Sequence, residues 1–280
     1  MHRDGKRRIA LVRDSWRVRG EVRPFVAGQQ VVVSFFRDGR RIHQQTEQVQ
    51  PTPNGRAGFF LTPFRANREG RVVVRATHPA TPELVALKAK AARVNVLRPE
   101  VGSTGSLVRL LQRGLKRMRY VVPTNGVYDD ATARAVMAWR KVTGRARLTT
   151  ATAEVLRGVL AGRGEFRVRY PRDGRHVEAD LSRQVLVLID KGSVRRIYHT
   201  STGTSATPTI LGRFRVYRKS PGTNASGMVH SSYFIRGYAI HGYRSVPTYN
   251  ASHGCLRVPI PDAWSIYRWV RMGDVVRVYP

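Results

Sequence analysis

The chain has 280 residues, 41% of them hydrophobic, which is enough material for two or three globular domains. Fifty lysines and arginines stand against eighteen acidic residues, and the formal net charge of +32 indicates an anionic environment such as nucleic acid, anionic lipid or an anionic cell-wall polymer. The single cysteine excludes an intramolecular disulfide and a zinc site built from several cysteines.

Residues 1–97 are predicted to form a small antiparallel β-sandwich of the immunoglobulin-like kind. Strands are expected at residues 30–36, 41–49, 58–63 and 70–76, and Asp38-Gly39 is a hairpin turn signal between the first two. No set of side chains with evident chemistry occurs here. We therefore expect a spacer domain, with surface binding as the alternative.

Residues 98–163 are predicted to be helical. Leucines 107, 110, 111 and 115 recur at helical spacing, residues 129–132 give an N-cap signal for a second helix, and Thr149 or Thr150 is expected to begin a third. The unit resembles a peptidoglycan-binding domain. The matching positions are Leu111-Gln112, Leu115, Asn125-Gly126-Val127-Tyr128, Thr132, Ala135-Val136 and Trp139. The alternative is a helical spacer whose leucines only form its core.

Residues 164–280 return to a β pattern. Strands are predicted at 177–180, 184–190, 194–201 and 273–278, the sheet is expected to continue through 207–216, and a helix is expected from Asp262 to Val270. Residues 228–234 are expected to form a flap over the substrate, with Tyr233 either a wall of that site or an aromatic packing residue.

Cys255 is interpreted as a nucleophile. A reactive thiol needs a nearby imidazole or cationic field and a partly open position. His253 lies two residues upstream and His241 ends an alternating run fourteen residues upstream, and only one of them can be the base. In a papain-like protease the cysteine would precede the histidine on a helix, and here the order is reversed.

These positions resemble the catalytic motif of the L,D-transpeptidase family: His241-Gly242 at the end of a strand, then Ser252-His253-Gly254-Cys255-Leu256-Arg257. The preceding succession of a strand, Thr202-Gly203 and Thr207-Pro208 is also similar to that family. The resemblance implies that Cys255 is the nucleophile, that His241 is the general base oriented by the Gly242 carbonyl, and that His253 supports the site.

The remaining site residues are assigned by their place in the motif. Backbone amides of His253, Gly254 and Cys255 are candidates for an oxyanion hole. Ser252 belongs to the same oxyanion and substrate-binding segment. Arg257 is expected to hold the local structure or a substrate carboxylate.

The resemblance implies attack of Cys255 on a peptidoglycan stem tetrapeptide, a thioester intermediate, release of D-alanine and formation of a 3→3 cross-link. No metal or cofactor is expected, because a thiol needs none for this reaction.

The alternatives are an L,D-carboxypeptidase, a catalytically inactive cell-wall-binding protein, and a nucleic-acid-binding protein suggested by charge alone. Because the arginines are spread over the whole chain, we expect no nucleic acid partner. Anionic wall polymers are expected partners, and β-lactams of the carbapenem class are expected inhibitors.

The expected working site is extracytoplasmic and cell-wall associated. No apolar run approaches the length of a transmembrane helix, and the first twenty residues lack the apolar region of a signal peptide. We therefore expect the native precursor to carry a signal or anchor that this sequence does not contain.

Overall fold

Ten strands form the first hundred residues of the computed structural model, which describes residues 1–280. In the fourth strand, Val31, Val33 and Phe35 are buried while the residues between them are partly exposed, the alternation expected of a sheet with one buried face. The strands are β1 His2–Asp4, β2 Arg7–Leu11, β3 Ser15–Val22, β4 Gln30–Arg37, β5 Arg40–Gln48, β6 Gln50–Pro51, β7 Gly58–Arg65, β8 Gly70–His78, β9 Leu87–Lys88 and β10 Ala92–Leu97.

These strands form two sheets that share one core. One sheet has the order β1-β2-β10-β8-β4-β5 with β9 added beside β8, and the other has the order β3-β7-β6. Trp16 and Phe64 from the smaller sheet meet Phe35 from the larger one, with ring centroids 4.1 Å apart for the stacked pair Phe35 and Phe64. A two-sheet β unit is thus present, and its immunoglobulin-like topology stays a prediction.

The β4–β5 hairpin was correctly located from its turn residues. Asp38 and Gly39 both have positive φ, 50° and 79°, as a tight hairpin turn requires. The paired strands continue to Gln48 on one side and Gln30 on the other.

Residues 101–280 form the second compact unit, which begins with three helices. They are α1 Ser106–Arg117, α2 Asp130–Val142 and α3 Ala153–Leu160. Asp129 caps α2 by accepting a hydrogen bond from the Thr132 amide at 2.8 Å, which confirms the N-cap signal. The third helix starts later than expected because Thr152, and neither Thr149 nor Thr150, supplies the capping oxygen.

The rest of this unit consists of two sheets and one helix. The elements are β11 His176–Asp180, β12 Val185–Asp190, β13 Ser193–His199, β14 Gly212–Arg215, β15 Arg218–Thr223, β16 Val229–Ile235, β17 Tyr238–Tyr243, β18 Leu256–Pro259, α4 Ile260–Trp269 and β19 Val275–Tyr279. The sheets have the orders β13-β12-β11-β19-β14 and β15-β16-β17-β18.

A single apolar core joins the two sheets to α4. Leu186 and Leu188 from one sheet, Ile240 and Leu256 from the other and Ile266 of α4 are all at least 98% buried in it. Burying apolar surface on this scale is the main stabilising contribution to a fold of this size. The β17–β18 pair that carries the cysteine motif is therefore set on a rigid core.

Two predictions for this unit were wrong in detail. Residues 202–211 do not continue the sheet, because the chain folds back on itself: a Cβ on Gly203 would lie only 2.3 Å from the Thr207 carbonyl oxygen. Residues 229–235 are strand β16, hydrogen-bonded to a strand on each side, and so do not form a free flap. No helix of the protein is both long and apolar enough to cross a membrane.

Candidate active site

Strands β17 and β18 set His241 next to the end of the cysteine turn. The strands are parallel, with Ile240 opposite Leu256 and His241 opposite Arg257. Ile240 and Leu256 point into the core, so the alternate residues His241 and Arg257 point away from it. Cys255 directly precedes β18, two residues before Arg257.

The His241 imidazole is buried and held in one orientation. Its Nδ1 lies 2.9 Å from the Gly242 carbonyl oxygen. Because a carbonyl can only accept a hydrogen bond, Nδ1 carries the ring proton and Nε2 is the basic nitrogen. Burial lowers the pKa of His241 to about 4, although the Gly242 hydrogen bond opposes the shift. The imidazole is therefore neutral at pH 7 and able to accept a proton.

Gly242 is fixed by close packing against α4. A Cβ at this position would lie 2.7 Å from the Ala263 Cβ, so only glycine lets the helix come this near. The Gly242 carbonyl, which accepts the hydrogen bond from His241 Nδ1–H, is thereby held in place, and this is the role that the family motif implies for it.

The Cys255 side chain is partly buried, with Sγ 3.8 Å from the Gly237 carbonyl oxygen. Burial raises the pKa of the Cys255 thiol above its ordinary value, and the Ala239 amide and the Arg257 charge reduce this shift without cancelling it. The thiol is protonated at pH 7, so attack on a carbonyl requires that a base remove its proton.

Ser252 holds the turn that presents the cysteine. The Ser252 hydroxyl donates to the Cys255 carbonyl at 2.7 Å and accepts from the Gly254 amide at 3.1 Å. The Gly254 amide is therefore already engaged, which leaves the amides of His253 and Cys255 as the better oxyanion donors. Ser252 itself is buried and acts through the backbone of the turn.

His253 is not brought together with the other two groups. An extended turn would put the side chains of His253 and Cys255 on the same side, but Gly254 has φ +105°, which breaks the alternation between them. The His253 side chain is exposed, and no hydrogen bond joins it to His241 or Cys255. Its supporting role stays a prediction, and the geometry favours His241 as the base.

Arg257 is tied into the protein on several sides. Its backbone exchanges hydrogen bonds with Ser201 at 3.0 Å in both directions, and its Nη1 donates to the Ala251 carbonyl at 2.9 Å. Its guanidinium carbon lies 4.1 Å from the centre of the Tyr243 ring. These contacts favour the local structural role over binding of a substrate carboxylate.

Tyr233 is a packing residue of the sheet. It is 7% exposed, and the Arg218 guanidinium covers its ring at 3.9 Å. These contacts favour the packing alternative for Tyr233 over a role as a wall of the substrate site.

Lys141 of α2 is a supporting residue that the sequence did not reveal. It is buried, and its Nζ donates to the Gln184 and Thr200 carbonyls at 3.1 and 2.9 Å and contacts His199 Nδ1 at 2.8 Å. Thr200 in turn donates to the Arg257 carbonyl at 2.6 Å. Lys141 thus supports the strand end that pairs with β18. Nothing distinguishes it in sequence from the other 49 lysines and arginines.

The same lysine acts on the loop between β17 and β18. His199 Nε2 lies 2.9 Å from the Val246 carbonyl, so His199 donates there and accepts from Lys141. Burial lowers the pKa of Lys141 to about 6 and that of His199 to about 3. Below pH 6 the ammonium has three N–H groups, one for each acceptor, whereas at neutral pH the amine has two N–H groups for the three acceptors.

Replacing Lys141 with methionine should destabilise the protein by about 2 to 5 kcal/mol, because three buried acceptors lose their donor. Thermal unfolding measures the effect. The Lys116→Met variant is the matched control, since Lys116 is exposed in the last turn of α1, and it should change stability little. Equal stability of the two variants would contradict the supporting role.

Gly254 is required by conformation and by space. A Cβ would lie 1.8 Å from Tyr238 Cε1, on a backbone at φ +105°. We expect Gly254→Ala to reduce the rate of Cys255 acylation by at least about 100-fold, because the thiol is displaced with the turn. Gly222→Ala is the matched control: its φ is also positive, +73°, but no atom lies within 4 Å of its Cβ position.

A double variant separates the two causes. Tyr238→Ala removes the clashing ring, so adding it to Gly254→Ala should restore part of the rate if the contact dominates. No recovery would assign the loss to backbone strain, and an unimpaired Gly254→Ala enzyme would contradict the geometry of the turn.

No group of three or more histidine, cysteine, aspartate or glutamate side chains is arranged to hold a metal ion. The chemistry available at the site is that of one thiol, one neutral imidazole and the backbone amides of the turn.

Similarity to known proteins identifies the family of this chain. Residues 174–278, which include both halves of the motif, match the family model of the L,D-transpeptidase catalytic domain (YkuD). No curated protein matches the chain significantly.

Similar solved structures include an L,D-transpeptidase from Xylanimonas cellulosilytica, with 32% identity and a TM-score of 0.58, covering 65% of this chain and 97% of that one. One from Stackebrandtia nassauensis has 19% identity and a TM-score of 0.42, covering 65% of this chain and 94% of that one. The E. faecium catalytic domain acylated by ertapenem has 25% identity and a TM-score of 0.33, covering 38% of this chain and 97% of that one. Because its sequence is 32% identical to the Xylanimonas enzyme over nearly the whole of that structure, the chain belongs to the L,D-transpeptidase family.

Proposed function

We propose that this protein is a peptidoglycan L,D-transpeptidase that forms 3→3 cross-links through a thioester on Cys255. The observation that supports the proposal is the parallel register of β17 and β18, which sets His241 opposite Arg257 and so close in the chain to Cys255, together with the His241 imidazole held by the Gly242 carbonyl. A nucleophile and a base set by adjacent strands can act on the same carbonyl.

In the first half-reaction, His241 Nε2 takes the Cys255 proton while Sγ attacks the carbonyl of the third residue of a donor stem tetrapeptide. The oxyanion of the tetrahedral intermediate is stabilised by backbone amides of the turn, those of His253 and Cys255. The intermediate collapses to a thioester, and the D-alanine amine leaves with the proton from His241.

In the second half-reaction, the amine of a diamino acid on a neighbouring stem attacks the thioester. His241 removes the proton from that amine and returns it to the sulfur as the C–S bond breaks. The products are the new amide bond and the free thiol, and no cofactor is consumed. Water in place of the amine gives the alternative activity, that of an L,D-carboxypeptidase.

The test is product analysis with a disaccharide tetrapeptide substrate. Transpeptidation predicts D-alanine release together with a cross-linked dimer, whereas carboxypeptidation predicts D-alanine and a tripeptide at equal amounts, whether or not an acceptor amine is added. Release of no D-alanine by correctly folded protein would overturn both activities and favour a wall-binding protein without catalysis.

The pH dependence should reflect a neutral thiol and imidazole. Since His241 has a pKa of about 4, acylation should be nearly constant from about pH 5 to 8 and fall as the imidazole is protonated at lower pH. Stopped-flow acylation by a carbapenem measures the profile. An ascending limb centred near pH 6.5, the ordinary value for histidine, would contradict the burial of His241.

The same shift makes stability depend on pH. The folded pKa of His241, about 4, lies below its unfolded value of about 6.5, so its contribution is complete above pH 6.5 and is lost as the pH falls toward 4. Circular dichroism at each pH separates this unfolding from loss of the base.

The proposed site of action is the cell wall, outside the cytoplasm, with peptidoglycan stem peptides as substrates. The E. faecium domain that carries ertapenem illustrates the inhibitor class that we propose for this chain. The net charge of +32 favours association with anionic wall polymers, and we expect binding to isolated walls to weaken as salt is raised.

A further inference from the structure

The first unit, residues 1–100, contains a cavity of about 660 Å³ whose charged lining is entirely basic. Arg37, Arg65 and Arg68 line it together with His43, and no aspartate or glutamate does. Three guanidinium groups around one cavity repel one another unless an anion lies between them. The cavity therefore favours a ligand with several negative charges.

Arg37 provides an independent indication. Its Nη2 donates to the Arg68 carbonyl at 3.1 Å, which fixes the guanidinium, but its Nε is buried and has no hydrogen-bond acceptor in the protein. A buried N–H of a charged group without an acceptor is unfavourable, and native proteins rarely retain one. An oxyanion in the cavity would supply the missing acceptor once the Arg37 guanidinium turns toward it, in the fork geometry that guanidinium groups prefer.

The apolar part of the lining argues against nucleic acid. Single strands bind by stacking their bases on exposed aromatic rings. Of the two rings at this cavity, Phe64 is 9% exposed and is stacked on Phe35 at 4.1 Å inside the core, and the exposed His43 ring packs at an angle against Phe64 with centroids 5.8 Å apart. The cavity offers charge for a phosphate backbone but no free phenyl or indole ring for a base.

The structure assigns this cavity to a phosphodiester-linked polyanion without bases, a polymer of the polyol phosphate type, which would attach the first unit to an anionic polymer. This binding does not depend on the chemistry of Cys255 and can be tested even if that chemistry is different. It also gives residues 1–97 a function beyond the spacer expected from the sequence.

The experiment measures binding of the full chain to fluorescent poly(glycerol phosphate) by anisotropy, at several salt concentrations. The site variant carries Arg37→Gln, Arg65→Gln and Arg68→Gln. The matched control carries Arg7→Gln, Arg8→Gln and Arg93→Gln, which removes the same charge from exposed positions of the same unit outside the cavity. Circular dichroism establishes that both are folded.

We expect the site variant to bind at least about 10-fold more weakly and to lower the salt slope by about one for each arginine that contacts a phosphate. The control should stay within about 3-fold of the wild type. Equal losses in the two variants would overturn the proposal, because they would show that only the overall charge of the chain matters.

Three further measurements test the roles of the guanidinium group, of bases and of phosphate in this binding. Arg37→Lys keeps the charge and the fold but removes the guanidinium fork, so weakened binding supports the site and unchanged binding counts against it. A single-stranded oligonucleotide with as many phosphates that binds more tightly than poly(glycerol phosphate) would overturn the assignment to a polymer without bases. Polyglutamate of equal charge that binds as tightly would overturn the preference for phosphate.

Discussion

Incubation with a carbapenem should add the mass of one inhibitor molecule to the wild-type chain and none to the Cys255→Ala variant. The chain has one cysteine, so a thioester can form at no other residue. The β-lactam carbonyl stands in for the stem-peptide carbonyl, and opening of the ring leaves the acyl group on sulfur. Intact-protein mass spectrometry reads the result directly, and the change is all or none.

The control for this measurement is folding. Cys255 is partly buried and its side chain is bonded only to backbone groups, the Gly237 carbonyl and the Ala239 amide, so alanine should leave the thermal unfolding temperature nearly unchanged. An adduct on the alanine variant would locate the nucleophile elsewhere. If folded wild-type protein gave no adduct, the thiol would not be activated, and the result would favour a catalytically inactive cell-wall-binding protein.

Replacing His241 with glutamine should slow acylation by roughly 10²- to 10⁴-fold, the usual contribution of a positioned general base. The effect is large because burial raises the Cys255 pKa, so little thiolate is present at pH 7 without a base. Single-turnover acylation measures the rate. Since the defect comes from proton transfer, raising the pH should recover part of it in the variant and have less effect on the wild type.

His253→Gln is the matched control, because it is the other histidine of the motif and its side chain is exposed. We expect its rate to stay within a few-fold of the wild type. A larger loss in His253→Gln than in His241→Gln would reverse the assignment of the base. Alkylation of Cys255 by iodoacetamide at high pH shows in both variants that the thiol is present and accessible.

Local signals in the sequence predicted several elements well. Asp129 caps α2 as expected, and Asp38-Gly39 turns the β4–β5 hairpin, because both depend on bonds between residues three or four positions apart. Where several local signals competed, packing decided: of three neighbouring threonines at 149, 150 and 152, only Thr152 caps α3. Likewise α4 begins at Ile260, ahead of the expected Asp262, with Pro261 in its first turn.

The sequence by itself predicted the chemistry of the site, since a lone cysteine preceded by two His-Gly pairs, His241-Gly242 and His253-Gly254, points to a reaction of a thiol with an imidazole. Only the tertiary structure favours one imidazole over the other. The parallel register of β17 and β18 sets His241 opposite Arg257, whereas the turn at Gly254 leaves His253 exposed. The support from Lys141 and the basic cavity at Arg37 were likewise decided by folding, because their members are far apart in the chain and sequence spacing carries no information about contacts between such residues.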